Sequence, residues 1–412
     1  MKPEVLRSIE RASSGTLRIR RALAWAASLA VLLSASTAIA ARDIVAKSPV
    51  ESGGYRITEG LSIGGPDADD PAQFYERLGS ANIAADGSGN IYVLDNGNIR
   101  IQVFGTNGNF LRTIGQEGEG PGEFQMPSRM AVNAAGDLAV FDMATQRVTL
   151  FDSRGELIRD QIVEGVVRDL ILRDDRSMIC SLGGDVEMVA FGPKGESLWE
   201  YGRKAPDPRG MVMELKIEGN LSTVGTRLVE TSSGILLGSE DEYALSSIQE
   251  GELVASLSRP FDRVDMVMPD FGDDDDDEEG GGPRMVMITM DDDGGGGGGG
   301  QSGDGGSSFT MEEGEGVQLN MDDIQKMMPK HQADIRGLLA WPDDRVWVIT
   351  AADDGEEMVT DEWSEDGRYL RRFAIPRYDR YALGADGQLY GLGHDDDDYP
   401  IVYRLHVETI ES

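Results

Sequence analysis

The stretch GNIYVLDNGNIRIQVFGTNGNFLRTIG (89–115) returns in outline as GDLAVFDMATQRVTLFDSRGELI (136–158). Gly89, Asp95, Arg100, Phe104 and Gly108 recur as Gly136, Asp142, Arg147, Phe151 and Gly155, a constant offset of 47 residues without one insertion. Self-similarity at such a period marks a radial or solenoid array, because each unit is a small sheet that cannot bury its faces alone. Within one copy the runs IAADGSGNIYVLD (83–95), IRIQVF (99–104) and FLRTIG (110–115) are short, rich in β-branched and aromatic residues, and bounded by Gly, Asn or Asp. Runs of that kind are strands. Asp86-Gly87 and Asn107-Gly108 are the expected positive-φ turn positions. The pattern is a meander of antiparallel strands with no helical period, and four such strands make one propeller blade.

With the linker GEGPGEFQMPSRMAV (118–132) between them, the two copies resemble the NHL-type repeat of six-bladed β-propellers. The resemblance implies an all-β fold of six four-stranded antiparallel blades. It also implies a structural role for Asp95 with Arg100 and for Asp142 with Arg147, which stand where such repeats tie a turn to the neighbouring strand. Fainter copies supply the other blades: Arg176 to Trp199, Leu228 to Val254, Leu338 to Leu370, and Tyr381 to Leu405. The last has no outer strand of its own. Tyr55 to Gly64 ends in the same Ile-Gly as Ile114-Gly115, and is expected to close the ring against the C-terminal blade, removing exposed strand edges.

Residues 1–41 read as a targeting segment to be kept out of the fold. Lys2, Arg7, Arg11, Arg18, Arg20 and Arg21 precede an uncharged run, Ala22 to Ala41, that contains the small-residue site Ala38-Ile39-Ala40. A cleaved secretory signal and an uncleaved inner-membrane anchor both fit, since about 20 apolar residues suffice to span a bilayer. Either places the propeller in the periplasm or outside the cell, and the long basic start fits a bacterial envelope protein. The propeller is expected over 42–261 and 329–412, interrupted by an acidic Gly/Asp-rich insertion at 262–328. That insertion holds DDDDDEE (273–279) and GGGGGGG (294–300). It is too polar to offset its ordering entropy and is expected to be disordered. The whole chain has 38 Lys+Arg against 74 Asp+Glu, net −36, and one cysteine. Such a surface repels nucleic acid and anionic membrane, and no disulfide can form within the chain. A monomer is expected.

The functional reading is a non-catalytic binding scaffold for a protein, peptide or glycan. Glu117, Glu119, Glu123 and Phe124 of the inter-blade linker, with their N-terminal counterparts Asp67, Asp70 and Phe74, are the candidate rim residues. Trp341, Trp347 and Trp363 are candidate aromatic contacts beside them. One alternative is a lactonase- or lyase-like enzyme with Ca²⁺ or Zn²⁺ in the central channel. His394, Asp395 and Asp396 are the candidate ligands, and Ca²⁺ is the cofactor that clustered carboxylates suit. Against it, His331, His394 and His406 do not repeat at matched places in different blades, as zinc ligands around an axis should. Neither a G-x-S-x-G elbow nor a phosphate loop is present, so no catalytic residue is assigned. Another alternative is a structural scaffold tethered by an uncleaved N-terminus.

Overall fold

The repeat becomes six antiparallel sheets set as blades around an axis. The computed structural model describes residues 41–66, 68, 72–74, 83–183, 186–202, 215–216, 227–239, 242–264, 286–287, 331–353, 357–395 and 397–410. Blade 1 runs outward from Ile83–Ala85 through Ile91–Asp95 and Arg100–Phe104 to Phe110–Ile114. Blade 2 is Pro127–Val132, Leu138–Asp142, Arg147–Phe151 and Leu157–Ile162; blade 3 is Val166–Leu172, Met178–Gly183, Met188–Phe191 and Ser197–Tyr201. Blade 4 is Leu228–Thr231, Gly234–Gly238, Ala244–Gln249 and Glu252–Ser258. Blade 5 is Ile335–Trp341, Arg345–Asp353, Glu357–Ser364 and Tyr369–Pro376, and blade 6 starts with Arg380–Leu383, Leu389–His394 and Pro400–Ile410. The inner strand of every blade touches the inner strands on both sides, so the ring is closed.

The second and third strands of a blade are covered on both faces by neighbouring blades. This is why IYVLD and LAVFD are buried along their whole length instead of alternating. Tyr92, Leu94 and Ile101 of blade 1 pack with Met130, Leu138 and Val140 of blade 2 in one cluster. The outer strands face water and carry exposed residues such as Phe110 and Leu157.

The turns differ from expectation in one detail. Gly89 (φ +79°), not Gly87, takes the left-handed position, as Gly108 (φ +80°) does in the next hairpin. The Asp86 carboxylate explains the shift: its Oδ1 accepts the amides of Ser88 and Asn90, and Gly89 N–H bonds back to the Asp86 carbonyl. A turn followed by one left-handed residue results, and glycine occupies that residue without a Cβ penalty.

Gly54–Gly64 pairs with Pro400–Ile410 from Gly54↔Ile410 to Gly64↔Ile401 and supplies the fourth strand of blade 6. The N-terminal chain does more than this. Arg42–Val45 adds a fifth strand outside Glu252–Ser258 of blade 4, and the amides of Val50 and Glu51 donate to the Leu370 carbonyl of blade 5. Residues 42–64 thus form a belt over the edges of blades 4, 5 and 6, satisfying backbone groups that would otherwise template aggregation. Two side chains fasten it: Tyr55 Oη donates to Glu362 at 2.6 Å and Arg371 pairs with Glu51 at 2.6 Å.

Residues 1–40, and residues 265–330 except Val286–Met287, lie outside the described residues; with them go the expected targeting segment and all but the first three residues and Val286–Met287 of the insertion expected at 262–328. Val286–Met287 makes a short antiparallel ladder with Leu215–Lys216.

Candidate functional site

The linker Glu117 to Phe124 joins the outer strand of blade 1 to the inner strand of blade 2, so it lies at the mouth where inner strands begin. Glu117 and Glu119 are exposed there. Glu123 is used by its own loop: it accepts Gln116 Nε2 at 2.8 Å and the Gly120 amide at 2.9 Å, and these hydrogen bonds hold its carboxyl below the usual range. Phe124 is not a rim residue. It is completely buried against Phe151, with ring centroids 5.9 Å apart. Its counterpart Phe74 is buried against Phe104 at 6.0 Å. Both are wedges between blades, and the Ile-Gly before each linker makes room for them: a Cβ on Gly115 would stand 2.2 Å from the Phe124 ring. Asp67 and Asp70 lie outside the described residues.

The repeated Asp and Arg residues hold these linkers. Asp95 pairs with Arg100 at 2.9 Å, and Arg100 also donates to the Gln73 carbonyl. In blade 2 the pair divides its work. Asp142, fully buried, accepts the amides of Gln125 and Met126 at 2.7 and 2.8 Å and both the amide and hydroxyl of Thr145. Arg147 donates to the Glu123 carbonyl, the place equivalent to Gln73.

Trp347 and Trp363 are not rim contacts either. Trp347 and Trp363 are buried in blade 5, donating to Glu362 at 3.2 Å and to the Tyr243 hydroxyl at 2.9 Å. Trp341 is half-buried, stacked on Trp347 at 3.8 Å, and ends its inner strand. It therefore sits at the opposite mouth from the linker of 117–124. Large flat side chains with one polar atom suit an inter-blade core that supplies a partner for that atom.

His394 pairs its Nδ1 with Asp379 Oδ2 at 2.6 Å, which raises its pKa. Asp395 accepts the amides of Asp397 and Tyr399 and so shapes its own turn; Asp396 lies outside the described residues. Among the described residues no three His, Cys, Asp or Glu side chains converge to hold a metal ion.

What the structure does bring together is arginine. Arg129, Arg168, Arg336 and Arg380 lie within the first three residues of their inner strands, and Arg227 immediately precedes Leu228–Thr231. Five of the six blades thus carry arginine at the same mouth, in a chain whose acidic residues outnumber basic ones by 74 to 38. The register skips beside Arg129, Arg168 and Arg336, between Pro127 and Arg129, Val167 and Asp169, and Ile335 and Gly337. Bulges at one level in three blades re-aim side chains and are a common device beside functional sites. Arg129 is fixed by donating to the carbonyls of Arg168 and Ser128, and Asp169 Oδ2 accepts the Arg227 amide at 3.1 Å. Arg380 is 7% exposed. Burial and the charge of Arg129 pull its pKa down to about 10, and only Asp169 opposes them. Sequence reading missed this set although a signal exists: S-R-M, V-R-D, T-R-L, I-R-G and D-R-Y each open an inner strand.

The model of a domain family described as a 6-bladed β-propeller matches residues 81–176, the part where the repeat is plainest. A solved structure from Bacteroides fragilis, whose description is that of an exported protein, is 13% identical with a TM-score of 0.51, covering 89% of this chain and 99% of that one. A second, from Bacteroides vulgatus, is 11% identical with a TM-score of 0.48 over 86% and 98% of the two chains. A streptogramin B lyase is 11% identical with a TM-score of 0.42 over 79% and 78%. At these identities the likeness is one of fold alone. No curated protein matches the chain. The sheets, the family model and the first of these structures agree that this protein is a six-bladed β-propeller.

Proposed function

We propose that this protein is a non-catalytic, extracytoplasmic binding propeller of NHL-like descent that takes its ligand at the mouth where the inner strands begin. The observation that carries this reading is the placement of arginines at that mouth in five consecutive blades of an otherwise acidic chain. Arginines repeated around the axis of a closed ring, with Asp169 and Asp334 among them, are a means of recognition. An extracytoplasmic location is supported by the basic-then-apolar segment at 1–41 and accords with the exported description of the Bacteroides fragilis structure.

The test is a thermal-shift screen of the full chain against small organic acids, peptides and oligosaccharides, run beside the double variant Arg129→Met/Arg336→Met. Ligands that raise the melting temperature of the natural protein and not of the variant support the reading. A ligand that stabilises both equally binds elsewhere and overturns it.

A further inference from the structure

The buried charges other than Arg380 among the described residues come with partners. Asp361, fully buried, accepts from Arg259, Tyr369 and Arg372 at 2.6, 2.6 and 3.0 Å. Glu362, also fully buried, is paired with Arg371 at 2.7 Å and accepts from Tyr55 and Trp347. Asp334, buried at the start of blade 5, is paired with Arg263 at 3.2 Å. Arg380 differs. It is more than nine-tenths buried, and no described residue makes a hydrogen bond or ion pair with its guanidinium. Its nitrogens are not among the fully enclosed polar atoms that lack a partner, so they keep the little exposure the residue has, and holding a charge in so narrow a solvent space without a counter-charge is costly.

Its place is given by the strand it begins. Arg380 begins the inner strand of blade 6, while Arg129 belongs to blade 2 and Asp169 to blade 3. Blade 3 lies diametrically opposite blade 6 in a six-membered ring. As the first residue of an inner strand, and keeping 7% exposure, Arg380 lies at the channel mouth, and the influence of Arg129 and Asp169 on its pKa agrees with that place. There the planar guanidinium presents a fork of N–H donors, a geometry that matches the paired oxygens of a carboxylate or phosphate. Asp169 is engaged by the Arg227 amide and moderates the repulsion between Arg129 and Arg380 without forming an ion pair with Arg380.

We propose that the channel mouth is an oxyanion site in which Arg380 receives the carboxylate or phosphate group of a small ligand, with Arg129 as the second cation. This rests on the binding reading above and names the chemistry of what is bound. The bound group supplies the counter-charge that the fold withholds, so selectivity comes from desolvation: neutral sugars and cationic peptides leave Arg380 unpaired and are rejected.

The experiment is calorimetric titration of the full chain with inorganic phosphate and, separately, with succinate, on the natural protein and on Arg380→Met and Arg380→Lys. The expected result is saturable binding at one site, weakened at least tenfold in Arg380→Met and partly retained in Arg380→Lys. The anion that binds more tightly tells a phosphate-bearing from a carboxylate-bearing ligand. Melting curves on the same samples should show anion-induced stabilisation of the natural protein and none of Arg380→Met. Binding undiminished in Arg380→Met overturns the assignment, as does failure of both anions to bind the natural protein at millimolar concentration. If the latter occurs while the screen still finds a ligand lost in Arg129→Met/Arg336→Met, the binding reading stands and only the oxyanion chemistry falls.

Discussion

Replacing Arg380 by methionine removes a charged group from the interior, and we expect the protein without ligand to become more stable. The cost of keeping Arg380 charged is read from its pKa, which burial and Arg129 lower from 12.5 to about 10. At about 1.36 kcal/mol per unit this is roughly 3 kcal/mol. The cost is present in full below about pH 10 and fades as pH rises toward the unfolded value, because the unfolded chain binds the proton more tightly. Methionine keeps an unbranched stem that fills the same space without a charge. A folded ring of about 300 residues has an unfolding entropy of about 0.6 kcal/mol/K, so roughly 3 kcal/mol corresponds to a melting temperature higher by about 5 °C. Differential scanning calorimetry at pH 7 in buffer lacking phosphate and carboxylate reads this directly, with urea midpoints as a second measure. A fall of several degrees in Arg380→Met would mean that the guanidinium is already stabilised within the fold, and the reasoning from an unsatisfied buried charge would be refuted.

Phe124→Ala should destabilise by about 3–5 kcal/mol by urea denaturation, since it empties a wedge between two blades. Gly115→Ala should also destabilise, because the new Cβ meets that ring and the φ of +76° disfavours alanine. Asp142→Ala strands the amides of Gln125, Met126 and Thr145 and should cost about 3 kcal/mol in the same assay. His394 should titrate above its ordinary pKa by proton NMR and return toward it in Asp379→Asn. Because the folded value is the higher one, its contribution to stability is complete below about pH 6.5 and is lost as pH rises through the folded pKa. Cys180, whose thiol burial pushes up to about 12, should stay inert to thiol reagents in the native protein and react once urea unfolds it.

Much of the architecture is legible in the chain because a blade is a local object. Ile91–Asp95 and Leu138–Asp142 announce themselves by β-branched and aromatic content between glycine turns, and the Ile-Gly at 63–64 matches that at 114–115 closely enough to place the closing strand. The candidate site was not legible for the opposite reason. Phe74 and Phe124 sit in polar, glycine-rich linkers that read as surface, and only the neighbouring blade shows that each ring is a wedge. The belt of Arg42–Val45 and Glu51 depends on which outer edges its path crosses, and no periodicity encodes that path.

The sequence by itself determined that this protein is a ring of small sheets, since hydrophobic period, turn chemistry and repeat spacing all act over a few residues. Tertiary structure alone decided which charges matter. Arg129, Asp169 and Arg380 lie at irregular separations along the chain, and their burial and mutual fields arise only when blades 2, 3 and 6 meet at the axis. Desolvation and Coulomb interaction depend on distance through space, and a linear order of residues does not contain that distance.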